Sequence, residues 1–326
     1  MAATPSVKTG DRDKNPTRTL LPVAAILTAA LLWGGSFSAM RDSLRVLSPW
    51  SVMWLRMAVA LAVLVPLTAS WRPRTYRKGD WRLLLPMVLL QPCLYFLLES
   101  NALRFTTSSQ AGVIAASVPL WVALGAWWLL SETVTRQTLA GLFISMAGVV
   151  GLTLLGGPGG QAENPVLGNI LEVLAMACAA LGIILVKQLS RRYSPWTLTA
   201  FQVIAGFLFF SPGIGHLLAA DRPVWTARLA GEVLFLGAAV TLGAFGLYNW
   251  GMSRMSASRA SVFINLVPVN AVLIGWLALG EGLSLLQCVS GLAVIGGVWL
   301  SQRGGADGRT VPCPRGQLPA EAKVTR

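Results

Sequence analysis

Apolar residues run along this chain in ten stretches of about 20 residues, separated by short polar gaps. Because a helix needs about 20 apolar residues to cross a bilayer, each stretch predicts a membrane-spanning helix. The predicted spans are 20–40, 49–70, 82–103, 108–130, 136–156, 166–187, 195–215, 229–252, 258–279 and 284–302. Several gaps hold only four to eight residues, which favours antiparallel packing of neighbouring helices. The pattern predicts an all-α integral membrane protein with ten transmembrane helices.

The two halves of the chain carry the same landmarks in the same order. The pairs are Ser48-Pro49-Trp50 with Ser194-Pro195-Trp196, offset by 146 residues, and Pro119 and Glu132 with Pro268 and Glu281, offset by 149. We therefore predict a first repeat at 20–156 and a second repeat at 166–302, joined by a linker at 157–165. Five spans per repeat is an odd number, so the second repeat is inverted relative to the first. Inverted repeats favour a transporter with alternating access and a site near the midplane.

Lysine and arginine indicate the orientation. With the N-terminus in the cytoplasm, 20 of these residues fall in cytoplasmic segments and five in outside gaps, while Arg56 lies within a span. Since cytoplasmic segments carry the basic excess, the tails at 1–19 and 303–326 are predicted to be cytoplasmic in a bacterial cell membrane. The first apolar run follows a charged leader and matches the sixth span, so we expect it to be retained and not cleaved as a signal peptide.

Composition excludes several functional classes. Charged residues make up 12% of the chain and hydrophobic residues 54%, against about 25% charged residues in a soluble domain. The net charge of +13 comes from gaps and tails without a nucleic-acid-binding motif, so no nucleic-acid partner is expected. The only histidine, His216, lies in an outside gap, and the four cysteines form no CxxC pair. We therefore expect no metal, no cofactor and no enzyme.

Sequence motifs at the landmarks resemble the drug/metabolite transporter superfamily, in particular its ten-helix EamA family. The segments are LLWGGSFSAMRDSL (31–44), SPWSVMWLRMAVALAVLVPL (48–67), ALRFTTSSQAGVIAASVPL (102–120), SETVTRQTLAGLFISMAGV (131–149), SPWTLTAFQVIAGFLFFSPG (194–213) and MSASRASVFINLVPVNAVLIGWLALGEGLSLLQ (255–287). The resemblance implies an inverted-repeat bundle with a central pathway that moves small metabolites, commonly outward and often amino acids or related compounds. Ser131 departs from the usual glycine before the glutamate, and 303–326 has no counterpart.

Arg56 is the charged residue of greatest interest, because it lies about 10 Å inside the second span at 1.5 Å per residue. A buried arginine is costly unless it is paired or hydrated. Its repeat partner Gln202 is also polar, and arginine fits the family's usual second-helix pattern. Two interpretations stay open: Arg56 contacts an anionic substrate, or it forms a structural ion pair with Glu99 in the third span.

Two further acidic residues lie near predicted outer span ends. Glu172, about six residues into the sixth span, could bind a proton or a cation, but its shallow position favours contact with interfacial water. Glu232 begins the eighth span and is predicted to be interfacial. Neither residue is placed in the predicted pathway.

Prolines and polar residues within the spans mark a candidate substrate pathway. Prolines remove backbone donors, and freed carbonyls are tolerated at membrane depth where they are buried in protein or face a cavity. The predicted pathway residues are Trp33, Arg56, Gln91, Glu99, Pro119, Gln202, Asn249, Asn265, Pro268 and Asn270. For each of them, helix packing is an equally open alternative.

Four charged residues form a structural motif that occurs once in each repeat. Arg41 and Lys187 follow the first and sixth helices, where a cation suits the negative end of the helix dipole. Glu132 and Glu281 precede Thr135 and Ser284, the predicted N-caps of the fifth and tenth helices, where an acidic group suits the positive end.

The predicted function is secondary transport, with export of small metabolites favoured and import on the same architecture left open. A membrane-embedded enzyme or a lipid-handling protein is the alternative class. The energy source is either a proton gradient or the substrate's own gradient. Small residues such as Gly141, Gly148 and Gly151 permit close helix packing. That neighbour could be another helix of this chain or a second copy in a homodimer.

Overall fold

The computed structural model describes residues 16–67, 76–129, 134–154, 163–219, 224–254, 266–303 and 310–311. The helices are α1 (Pro16–Ser43), α2 (Pro49–Leu64), α3 (Trp81–Phe105), α4 (Ser108–Ala115), α5 (Val118–Leu129), α6 (Arg136–Leu154), α7 (Pro165–Leu189), α8 (Pro195–Phe209), α9 (Gly213–Leu218), α10 (Ala227–Arg254), α11 (Leu266–Leu279) and α12 (Leu285–Arg303). A 3₁₀ turn, Val65–Leu67, follows α2, and the two-residue strands β1 (Val134–Thr135) and β2 (Thr310–Val311) pair antiparallel. The described chain is otherwise helical, as the apolar pattern predicts.

Six helical stretches are long and apolar enough to cross a membrane. They are Leu20–Ser43, Pro49–Leu67, Trp81–Phe105, Ser108–Gly125, Pro165–Leu189 and Ala227–Arg254. Four shorter apolar helices are Leu139–Gly151, Pro195–Phe209, Leu266–Leu279 and Leu285–Gly297. Helices of this length and composition make the chain a multi-pass membrane protein.

The repeated Ser-Pro-Trp sequence is a helix start. The Ser48 hydroxyl accepts a hydrogen bond from the Ser51 backbone N–H at 3.2 Å, and the Ser194 hydroxyl accepts one from Thr197 at 3.1 Å. In both places a serine caps the helix and proline occupies the first turn, where its missing N–H is tolerated. The first landmark of the repeat therefore encodes the beginning of α2 and α8.

The helices α3 and α10 both depart from regular α-helix, and the irregular stretches begin 146 residues apart, at Leu89 and Phe235. In α3 the irregularity is a kink at Gln91 (φ −140°, ψ 110°), whose peptide bond to Pro92 is cis, whereas in α10 it is a π-helical segment over Phe235–Ala244. The whole of α10 has 28 residues against 25 for α3. This difference of three residues equals the increase of the repeat offset from 146 to 149. Extra residues in a helix are commonly absorbed as π-helical turns.

Several predicted spans differ in extent from the helices. The fourth span is interrupted at Ala116 and Ser117, which form a turn between α4 and α5, so Pro119 lies in the first turn of α5. In the first turn of a helix a proline gives up no backbone hydrogen bond, so Pro119 is compatible with a helix that begins at Val118. The seventh span ends at Phe209, before the short α9, and α1 begins at Pro16 within the predicted tail.

The glycines of the fifth and tenth spans allow two helices of this same chain, α6 and α12, to pack closely along each other. A methyl group added at Gly148 would lie 2.7 Å from the Ser290 carbonyl oxygen. One added at Gly297 would lie 2.5 Å from the carbonyl oxygen of Gly141. Both distances are shorter than real contacts, so the glycines allow the two helices to approach closely.

Candidate functional site

A cavity of about 60 Å³ lies inside the bundle and is lined by both halves of the chain. Its lining is Trp33, Ser36, Phe37, Arg56, Gln91, Tyr95, Phe96, Ala115, Val118, Met176, Ala179, Ile183, Phe245 and Val267. A volume of this size holds several water molecules. The lining is mostly apolar with a few polar groups, the usual character of a small-molecule site.

Arg56 of α2 supplies the positive charge in the cavity wall and is only 2% exposed. Its Nε donates a hydrogen bond to the Thr241 hydroxyl, and its guanidinium carbon lies 4.1 Å from the centre of the Phe96 ring. The Thr241 hydroxyl in turn donates to the Leu236 carbonyl oxygen at 2.8 Å. The π-helical segment of α10 and an aromatic ring of α3 therefore hold the guanidinium in place.

Of the two interpretations open for Arg56, the ion pair with Glu99 is not formed within the described part of the chain. Instead, the Tyr95 hydroxyl donates a hydrogen bond to Glu99 Oε1 one helical turn away. Glu99 is 4% exposed, and Tyr95 lines the cavity. The carboxyl group of Glu99 thus lies behind the cavity wall, and Tyr95 connects the two.

The expected contact of Glu172 with interfacial water is wrong, because its exposure is 0%. The helix α7 packs against α3 at this level, which covers the carboxyl group. Neither oxygen of Glu172 has a hydrogen-bond partner among the described residues. Glu99 is close enough for the two carboxyl charges to repel each other. Sequence depth could not reveal this, since burial depends on which helix covers a given face.

Three predicted pathway residues meet in a second polar cluster beside the cavity. Asn249 Nδ2 donates to the Thr199 hydroxyl at 2.9 Å and to Gln202 Oε1 at 3.4 Å. Gln202 Nε2 donates to the Gln91 carbonyl oxygen at 3.4 Å. All four residues are buried. The cluster links α3, α8 and α10, so it joins the two halves of the chain beside the cavity.

The proline landmarks lie next to the cavity and not in its wall. Val118 and Val267, which precede Pro119 and Pro268, are the lining residues, and both prolines are buried.

Asn270 is half-buried on α11, and its side-chain nitrogen has no partner among the described residues. Asn265, also predicted for the pathway, lies outside the described residues. Thr241 was missed because an uncharged hydroxyl in an apolar run gives no sequence signal.

Glu281 connects three parts of the fold. It accepts hydrogen bonds from Arg41, from the backbone N–H groups of Ser108 and Ser109 at 3.1 and 2.9 Å, and from their hydroxyls at 2.6 and 2.8 Å. Glu281 therefore binds the N-terminus of α4, and the expectation that it stabilises its own following helix is corrected. Burial would raise the pKa of Glu281, but the Ser108 hydroxyl, the Arg41 charge and Ser109 outweigh burial and lower that pKa.

The second copy of this motif is described in part. Lys187 Nζ donates to the Met252 carbonyl oxygen at 3.0 Å, near the end of α10. A cation bound to terminal carbonyls satisfies the negative end of that helix. Glu132, the repeat partner of Glu281, lies outside the described residues.

Comparisons with known proteins agree with this architecture. The sequence profile of the EamA-like transporter family matches residues 20–154 and again residues 166–302. The chain is 28% identical over 201 residues to "Uncharacterized transporter YetK" of Bacillus subtilis (strain 168), and the match covers 61% of each protein. It is 24% identical over 272 residues to an "Uncharacterized transporter" of Archaeoglobus fulgidus, covering 83% of this chain and 93% of that protein.

A plant relative and a solved structure extend the comparison. The chain is 25% identical over 298 residues to "WAT1-related protein At3g02690, chloroplastic" of Arabidopsis thaliana, covering 86% of this chain and 69% of that protein. A crystal structure with 21% sequence identity covers 88% of this chain and 96% of its own, with a TM-score of 0.59. At that identity the likeness shows the fold alone.

Proposed function

Because the chain belongs to the EamA-like transporter family, a membrane transporter family and not a family of enzymes, we propose that it exports small metabolites that carry a carboxylate, such as amino acids or related compounds. The proposal includes ten spans in two inverted five-helix repeats, with both termini in the cytoplasm. The basic excess in the segments assigned to the cytoplasm supports this orientation. Two halves inverted in this way exchange between outward-open and inward-open forms around one central site.

The observation that carries the substrate class is Arg56 in the wall of a cavity built from both halves. Of the three nitrogens of the Arg56 guanidinium, Nε has a hydrogen-bond partner among the described residues, namely the Thr241 hydroxyl. The two terminal nitrogens are thus left for a ligand, and a guanidinium fork matches a carboxylate in geometry and charge. The aromatic and aliphatic lining around it suits the apolar part of an amphipathic metabolite.

The test compares metabolites outside cells that produce the wild type, Arg56→Ala, Arg104→Ala or no protein, at matched membrane levels. Arg104 is the control, because it is an exposed arginine at the end of α3. We expect a carboxylate compound to accumulate outside with the wild type and with Arg104→Ala, and much less with Arg56→Ala. Depletion of such a compound from the medium would indicate import. Equal accumulation with Arg56→Ala would contradict the role of Arg56.

A further inference from the structure

Glu172 is a carboxyl group enclosed by protein at the heart of a membrane bundle. It has 0% exposure, and both of its oxygens are without hydrogen-bond partners among the described residues. A carboxylate removed from water without a partner is strongly disfavoured, whereas a protonated carboxyl carries no charge. Ionisable groups in such positions commonly belong to proton pathways. The pathway derived from the cavity does not use Glu172.

The groups that act on Glu172 lie on α3. The Glu99 carboxyl is close enough to repel a negative charge on Glu172, and the Tyr95 hydroxyl interacts with both carboxyls. Arg56 of α2 acts on Glu99 and Tyr95. Among the described residues, Glu99 is the charged group that acts directly on Glu172. A negative charge on Glu99 opposes a second one on the buried, unpartnered Glu172 carboxyl, so the pair favours a state that holds one proton.

Polar groups lie on both sides of the pair that Glu172 and Glu99 form. Toward the cavity, Tyr95 lines the wall and donates its hydroxyl to Glu99. Toward the start of α7, Asn169 lies one turn before Glu172, and its Oδ1 accepts a hydrogen bond from the Thr106 hydroxyl at 2.6 Å. Gln110 Oε1 lies 2.9 Å from that same hydroxyl, which has one proton and donates it to one of these two oxygens at a time. The buried pair thus lies between the cavity and a polar cluster at the end of the bundle that holds the start of α7.

We propose that Glu172 and Glu99 form the proton-binding site of the transport cycle. Glu172 holds a proton while the pair is closed to water, and the proton leaves for water, or moves to Glu99, when the helices α3 and α7 separate. Binding adds one proton to one carboxylate, with no other bond made or broken. This inference rests on the proposed transport function and deepens it by naming the proton as the coupling ion.

The first test needs no substrate. Infrared difference spectra between acidic and alkaline buffer are recorded on the full chain in lipid nanodiscs, because a protonated carboxyl has a carbonyl band that a carboxylate lacks. We expect the wild type and Glu163→Gln to show the band of a buried acid, and Glu172→Gln to lose it. Glu163 is the matched control, since it is an exposed glutamate just before α7. A wild type without the band, or a band that persists in Glu172→Gln, would overturn the proposal.

Two considerations separate loss of the proton site from misfolding of a variant. Glutamine has nearly the size of a neutral glutamic acid and no charge, so Glu172→Gln is expected to fold. Glu172→Asp keeps the acid and moves it by one methylene, so its band should remain at a shifted frequency. A band in Glu172→Asp at the wild-type frequency would also overturn the proposal.

The second test uses the compound found in the export comparison. We expect a protonophore to reduce its export by the wild type and by Glu163→Gln, and to have no effect on any export left in Glu172→Gln. An equal response in Glu172→Gln would overturn proton coupling at this site. The two proposals fail separately, because a wild type with the infrared band but no export contradicts transport alone. Export without the band contradicts the proton site alone.

Discussion

Arg41 and Glu281 lie 240 residues apart in sequence, and their side chains form a largely buried ion pair between the end of α1 and the loop before α12. Glu281 also receives the amide and hydroxyl groups that begin α4. The Glu281 carboxylate therefore holds parts of both repeats together, because α1 and α4 belong to the first repeat and the loop that carries Glu281 belongs to the second.

Replacing Glu281 should destabilise the protein strongly. Glu281→Ala removes the carboxylate that Arg41, Ser108 and Ser109 share, and removing one partner of a buried ion pair costs about 3–5 kcal/mol. The measurement is the melting temperature of the purified protein in detergent. Asp42→Ala is the control, because its partner Arg228 is 62% exposed and such pairs contribute at most about 1 kcal/mol. Equal melting temperatures for the two variants would contradict the fastening role.

Acid should weaken the same contact. The folded-state pKa of Glu281 lies below its ordinary value of 4.5, so the stability that it contributes is present above that value. This stability is lost as the pH falls through the lower folded-state pKa. We expect the melting temperature of the wild type to fall more steeply below about pH 4.5 than that of Glu281→Gln. Parallel curves for the two proteins would show that the lowered pKa does not contribute.

Much of the fold could be predicted from the sequence, because span length and helix starts are local properties. The serine caps at Ser48 and Ser194 follow from the repeated sequence itself. The sequence predicts one continuous span at 108–130, because Pro119 indicates a lost backbone donor but not the residue at which a helix ends. Similarly, the change of offset from 146 to 149 signals three extra residues without saying that α10 absorbs them.

The candidate site could be predicted only in part, because contacts between distant segments are not written in a local pattern. Arg56 and Gln91 were found as polar residues at membrane depth, and both line the cavity. The partner of Arg56 could not be found, since Thr241 is 185 residues away and uncharged. Glu172 was misjudged for the same reason: the neighbouring helix that covers it is a property of the packed bundle.

The contact between Arg56 and Thr241 gives a prediction for transport. Thr241→Val has nearly the same shape but no acceptor, so the guanidinium loses a charged hydrogen bond of about 1.5–3 kcal/mol. If this contact positions Arg56 for its ligand, export should fall about tenfold or more, since 1.4 kcal/mol corresponds to a factor of ten. Thr241→Ser keeps the hydroxyl and should retain export. The export comparison at matched membrane levels measures both, and unchanged export in Thr241→Val would contradict the positioning role.

Two adjacent glycines of α12 give a matched pair for helix packing. At Gly297 an added methyl would meet the Gly141 carbonyl oxygen at 2.5 Å, whereas at Gly296 nothing lies within 4 Å. Gly297→Ala should therefore force α6 and α12 apart and lower the melting temperature. Gly296→Ala should keep or raise it, because alanine favours helix over glycine by about 1 kcal/mol. The opposite order would show that the two helices do not pack closely.

The three additional residues of α10 have a consequence for the energetics of exchange. With two identical inverted halves, a two-fold rotation about an axis in the membrane plane would relate the inward-open form to the outward-open form, and the two would have equal free energy in the absence of ligand. The helix α10 is longer than its counterpart α3, and it has a π-helical segment where α3 has a kink at Gln91. Under the alternating access proposed for this protein, the difference removes the degeneracy, so one form is expected to be favoured before any substrate or gradient acts.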